Sequence, residues 1–172
     1  MDAIIRLRAL RMEDAEVFAA QANDPEIANN LTNGFPHPYT LEHAKKFIEL
    51  AASHQPQQIF AVTYNDEVVG AIGIHPQHDI HCKNAELGYW LAKSHWGLGI
   101  ISKVIPEIVL YAFDHFDIER VYARPFGSNG ASQRVLEKSG FMLEARFSKT
   151  IYKNGRWEDE LVYAIRKSNA RD

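Results

Sequence analysis

The order of elements in this 172-residue chain predicts one α/β (α+β) domain over residues 1–172, with a mixed, mostly antiparallel central sheet flanked by helices. Helical periodicity dominates before Pro56 and strand patterns follow it. Asn65-Asp66 and Asn154-Gly155 are hairpin signals. Two strand–loop–helix units, around Gly97–Gly99 and Gly127–Gly130, lie between those hairpins.

Ile4–Arg8 alternates weakly and reads as a first strand. Met12–Ala22 places Ala15, Phe18, Ala19 and Ala22 on one helical face. Asp24-Pro25 reads as an N-cap followed by proline at the first helical position, so a short helix runs to about Asn30. Thr40 caps a helix whose apolar face is Leu41, Ala44, Phe47, Ile48 and Ala51. Strands follow at Ile59–Tyr64 and Val68–Ile74, then a polar loop, His75–Asn84, then a strand at Ala85–Leu91. A long helix spans about Gly99–Phe113, and Pro106 inside it predicts a kink or a 3₁₀ start. Ile118–Arg124 is a strand, and Ala131–Lys138 a helix with Gly140 at its C′ position. Phe141–Tyr152 and Arg156–Arg166 close the chain as a hairpin.

Composition narrows the classes. A hydrophobic content of 46% supports a real core, and a charged content of 24% argues against disorder. The net charge of −3 and the absence of a dense Lys/Arg run argue against a nucleic-acid partner. Cys82 stands alone, so no internal disulfide framework is expected, which fits a reducing, cytoplasmic setting. No apolar window approaches ~20 residues, so no membrane span is expected, and the first residues do not read as a signal peptide.

The segment Glu86 to Lys103 carries the chemistry. A strand ends, Gly97 and Gly99 follow one residue apart, and a helix begins. The first amides of a helix lack internal partners and sit at the positive end of its dipole. Glycine lets backbone approach a ligand without a Cβ in the way. A pyrophosphate is the natural guest. A Walker A loop is absent, and serine at 102 stands where a dinucleotide fingerprint needs a third glycine. On spacing alone the two glycines are weak evidence, and a tight strand-to-helix turn is the favoured account of them.

The wider segment resembles the coenzyme A loop of the GNAT acyltransferase superfamily, in which Arg or Gln, two residues, Gly, one residue and Gly or Ala open a helix. Gly97 and Gly99 match; Ser94 occupies the Arg/Gln position and departs from it. Gly-Tyr-Trp-Leu at 88–91 and Ser-His-Trp-Gly-Leu-Gly-Ile at 94–100 resemble the RimJ/RimL branch, as do Asn129-x-x-Ser132 and Ser139-Gly140-Phe141. The resemblance implies an acetyl-CoA-dependent N-acetyltransferase. It implies that the backbone of Tyr89, Trp90 and Leu91 pairs with the pantetheine arm, and that the amides of Trp96, Gly97, Leu98, Gly99, Ile100 and Ile101 hold the pyrophosphate. It also implies that Asn129 bonds the pantetheine, and that the strands at Ala85 and Ile118 splay into a cleft.

Acetyl transfer needs a neutral amine and an accommodated thiolate. At pH 7 roughly one α-amine in seven is neutral, against roughly one lysine in 2,500. A weak base therefore suffices for an N-terminal α-amine, which becomes the favoured acceptor. Glu86 is the candidate general base through water, as the resemblance implies for that strand; pairing with an arginine is its plain structural alternative. Glu144, Glu158 and Glu160 are rivals. Ser132 is the candidate donor to the departing sulfur, or else an ordinary helix-start serine.

His75, His78, Asp79, His81 and Cys82 fall within eight residues and are metal-ligand types, but no second group stands at structural-zinc spacing. A solvated loop is the reading taken, and no metal is expected. Phe35-Pro36-His37-Pro38-Tyr39 reads either as a wall of the acceptor site or as plain packing, and Trp157 as a site residue or a cross-strand partner. Two functional alternatives stay open: an acetyltransferase for a small amine such as a polyamine, amino acid or antibiotic, and a non-catalytic module that binds CoA or a nucleotide.

Overall fold

The computed structural model describes residues 3–170. Among them the strands form one seven-stranded sheet in the order β1-β2-β3-β4-β5-β7-β6. These are β1 (Ile5–Arg8), β2 (Ile59–Tyr64), β3 (Glu67–Pro76), β4 (Asn84–Leu91), β5 (Arg120–Ala123), β6 (Met142–Lys153) and β7 (Arg156–Arg166). The pairs β1–β2, β2–β3, β5–β7 and β6–β7 are antiparallel, whereas β4 and β5 run parallel. The sheet is therefore mixed and mostly antiparallel, as expected. The helices are α1 (Ala15–Ala22), α2 (Pro25–Ala28), α3 (Leu41–Ala52), α4 (Ile100–His115) and α5 (Gly130–Lys138). The chain divides into two compact units, and the divisions fall within β3, β4 and α4.

The first unit holds the residues to Gly73 together with Gly88–Val104. Its core forms around Phe18, which the helical spacing of α1 buries completely along with Ala15, Ala19 and Ala22. Phe18 meets Trp90 edge-on at 5.0 Å and stacks on Phe47 at 5.4 Å. Asp24 caps α2 by accepting from the Glu26 N–H, and Thr40 caps α3 by accepting from the His43 N–H. His43 returns the bond to the Thr40 N–H, a role more often filled by Glu or Gln. Leu41, expected on the buried face of α3, is exposed. It lies in the first turn, ahead of the buried series Ala44, Ile48 and Ala51. The β2–β3 turn carries positive φ at both Asn65 and Asp66, the mirror-image geometry that joins twisted strands.

The second unit holds Ile74–Leu87 and the residues from Ile105 onward. Ile105, Ile108 and Ala112 of α4, Val121 and Ala123 of β5, Leu136 of α5, and Tyr163 and Ile165 of β7 are buried there. β5 is shorter than the expected Ile118–Arg124: Ile118 is buried but lies outside the strand. Asn154 and Gly155 take positive φ and close the β6–β7 hairpin. Two register shifts interrupt that hairpin, after Leu143 and after Phe147. Asp159 fastens the second, accepting from the Lys149 N–H at 3.0 Å and from Arg146 at 3.0 and 2.7 Å.

The helix α4 runs through Pro106 as a continuous α-helix. Proline there removes the one donor that would reach Ser102 O. Pro106 is exposed and Ser102 half-exposed, so water can satisfy that carbonyl.

Candidate active site

In the first unit, β4 ends at Leu91 and a 3₁₀ turn, Lys93–His95, follows it. The backbone then passes Trp96 in extended form, and Gly97 and Gly99 take φ of +77° and +72°. Any other residue would be strained there. A Cβ built on either glycine meets nothing within 4 Å, so the loop is open on that side. The glycines are required by conformation, and the space beside them admits a ligand.

The donors of this loop divide cleanly. The Trp96 N–H is already given to Lys93 O at 3.2 Å, and the Lys103 N–H to Gly99 O at 3.3 Å. Among the described residues, the amides of Gly97 through Ser102 have no protein acceptor. The expectation that Trp96 offers its amide to a phosphate is therefore corrected, because that amide closes the 3₁₀ turn. Gly97, Leu98, Gly99, Ile100 and Ile101 remain available, at the positive end of a 16-residue helix.

The β4 residues just before the loop are packed on one side. The Trp90 side chain is buried against Phe18 and Phe35, so only its backbone can serve a ligand. Leu91 O accepts the Trp96 indole N–H at 2.8 Å. Tyr89 is half-buried. In the Phe35–Tyr39 loop, Tyr39 lies in the core, with its ring 4.9 Å from Phe35 and 6.0 Å from Phe18, while His37 and Pro38 are exposed. Burial pushes the Tyr39 phenol up to about 12.

In the second unit, Glu86 stands opposite Tyr122 in the last β4–β5 pair, while β4 itself continues to Leu91. Ala85 and Leu87 point into the core, so Glu86 faces the other side of the strand. Arg124 grips both Glu86 oxygens, at 2.9 and 3.1 Å, and lies 3.5 Å from Glu160. Burial raises the Tyr122 phenol, and the Glu86 charge beside it raises it further. Glu144 is bound by Arg120 at 2.6 Å and Arg166 at 3.2 Å, and the hydrogen bond from Arg120 is the main cause that holds its carboxyl low. Glu158 is half-buried two residues before Glu160 on β7.

Asn129 caps α5, accepting the Ser132 N–H on Oδ1 at 3.2 Å. Among the described residues its amide nitrogen has no acceptor. Ser132 is half-buried in the first turn of α5. Trp157 is an exposed cross-strand partner of Tyr152, with ring centroids 5.0 Å apart. The loop from His75 to Cys82 holds an exposed Ile80 and an exposed Cys82. Among the described residues, no cluster of three metal-ligating side chains exists, and no helix is long and apolar enough to cross a membrane. Arg124 and Tyr122 escaped the sequence reading because nothing in the chain links them to Glu86 until the strands pair.

The seven-stranded mixed sheet thus carries a strand, a two-glycine loop and a helix with open amides. Residues 5–142 match the family model for the acetyltransferase (GNAT) domain. Over 94% of its length the chain is 34% identical to an uncharacterized N-acetyltransferase of Bacillus subtilis, YoaA, covering 92% of that protein. It superposes with a TM-score of 0.81 on RimL, a ribosomal L7/L12 α-N-protein acetyltransferase in complex with coenzyme A. That pair shares 22% identity over 94% of this chain and 93% of the other. It superposes equally, at 0.81, on the spermidine N-acetyltransferase of Vibrio cholerae bound to CoA and spermine, with 21% identity over 98% of each chain. The chain belongs to the GNAT acetyltransferase family and is an acetyl-CoA-dependent N-acetyltransferase.

Proposed function

We infer that the chain acetylates protein or peptide N-terminal α-amines. One observation carries this choice of acceptor: Arg124 occupies both oxygens of Glu86. With both oxygens engaged by one guanidinium, Glu86 offers an incoming amine no free carboxylate oxygen. Such a site suits an amine that sheds its proton readily, and an α-amine does so far more readily than a lysine. RimL, whose fold this chain shares, acts on an α-amine of a ribosomal protein. The spermidine enzyme with the same fold is the reason the small-amine reading stands second.

In this reading the amides from Gly97 to Ile101 bind the diphosphate of acetyl-CoA, the β4 backbone at Tyr89 and Trp90 orders the pantetheine, and the amide nitrogen of Asn129 bonds it. The neutral amine attacks the thioester carbonyl directly. A C–N bond forms, the C–S bond breaks, and no acyl-enzyme intervenes. Glu86 accepts the amine proton through water, and Ser132 gives a hydrogen bond to the departing sulfur. Orientation of the two reactants supplies much of the rate. The setting is cytoplasmic, where acetyl-CoA and nascent N-termini meet.

The test is thiol release from acetyl-CoA with N-terminal peptides, lysine-only peptides with blocked α-amines, and polyamines. Peptides with free α-amines should give the highest kcat/KM. Preference for polyamines would transfer the assignment to the small-amine reading, and no turnover with any amine would favour a non-catalytic binding module.

A further inference from the structure

We propose that Trp96 is a positioning residue that fixes the glycine loop for its diphosphate, through the hydrogen bond from its indole to Leu91. The inference rests on the loop reading above. Ser94, which departs from the family pattern, does not brace the loop: its hydroxyl turns to the adjacent His95 Nδ1 at 2.9 Å. Three other ties hold the turn. Lys93 pairs with Glu26, and the His95 ring meets Tyr64 at 5.2 Å in a T-shaped contact. The Trp96 indole N–H donates to Leu91 O at 2.8 Å.

Only the third tie acts on the residue directly before Gly97. It closes a ring from the last residue of β4 to the first of the loop. The Trp96 N–H to Lys93 bond fixes the same residue a second time. At the far side, Lys103 N–H holds Gly99 O. Gly97–Gly99 is thus strung between two fixed points, although both glycines could otherwise sample a wide range of backbone angles. Freezing that freedom before the ligand arrives reduces the entropy lost on binding. Trp96 remains 42% exposed as a residue while the one polar atom of its side chain is turned to Leu91 O, an arrangement that packing alone does not require.

The experiment measures binding of CoA by calorimetry, and of pantetheine, which lacks the diphosphate, by competition with CoA. Trp96→Phe keeps an aromatic ring and deletes the donor; a thermal melt confirms that the variant folds. CoA affinity should fall about three- to tenfold, the range expected for one hydrogen bond, while pantetheine affinity stays unchanged. Trp96→His, which keeps a ring N–H, should recover part of the loss. Equal weakening of both ligands would overturn the proposal, since the brace would then serve the whole site. So would wild-type affinity for CoA in the Phe variant, which leaves the loop reading intact. Failure of the wild-type chain to bind CoA would instead remove that reading, and the proposal with it.

Discussion

Arg124 grips Glu86 through both carboxylate oxygens and at the same time lies 3.5 Å from Glu160, so one guanidinium links a β4 carboxylate to a β7 carboxylate. If Glu86 takes up the amine proton, Glu86→Gln should lower kcat by about a hundredfold, the usual scale of general-base loss. CoA affinity should be untouched, because the substitution leaves the glycine loop alone. Stopped-flow thiol release and a CoA titration on the same variant separate the two effects. Full turnover in Glu86→Gln would remove the base from this position.

The Ser132 hydroxyl is assigned a smaller part. Ser132→Ala keeps the backbone N–H that caps on Asn129, so α5 should remain intact. Turnover should fall by less than about tenfold, since a thiolate is a good leaving group and positioning supplies much of the rate. A fall beyond a hundredfold in kcat would make Ser132 an obligatory acid.

Gly70 is a packing requirement. A Cβ there would collide with Trp90 O and press on Leu91, backbone that cannot step aside cheaply. Gly70→Ala should cost about 1–3 kcal/mol and lower the melting temperature by several degrees. Gly97→Ala should behave differently. Nothing crowds its Cβ, so the penalty is the positive φ, about 1–2 kcal/mol, and CoA affinity should fall more than stability. Calorimetric melting of the two variants makes the comparison.

Asp14 and Arg8 form a bidentate pair at 2.7 and 2.8 Å, with the Asp14 side chain only 12% exposed. Burial by itself would raise Asp14, but the hydrogen bonds from Arg8 and from the Arg11 N–H outweigh it and hold the carboxyl below its usual range. A carboxyl lowered in the folded state stabilises the fold above its unfolded pKa, near ~3.9, and loses that contribution as pH falls through the folded value. Asp14→Asn should therefore cost about 1–2 kcal/mol at pH 7, and the gap from wild type should narrow at acid pH, as the pH falls through the folded value. Urea melts at pH 7 and at acid pH measure it.

Much of this was legible in the sequence because the signals are local. The α1 face of Ala15, Phe18, Ala19 and Ala22 follows from helical spacing, and the caps Asp24 and Thr40 from one side chain each. Both mirror-image hairpin turns came from dipeptides. What stayed hidden depends on partners distant in sequence. Glu86 meets Arg124 only through the parallel β4–β5 register. Tyr39 and Phe35 look like a loop until Trp90 and Phe18 receive them. The 3₁₀ turn at Lys93–His95, which occupies the Trp96 amide, has no sequence signature of its own.

The claim that everything else depends on is that the amides from Gly97 to Ile101 hold the diphosphate. Amide NMR during a titration with CoA tests it at the atoms concerned. The largest shifts should fall on Gly97, Leu98, Gly99, Ile100 and Ile101, and should shrink when pantetheine replaces CoA. Binding of CoA that leaves those amides unmoved would contradict the account.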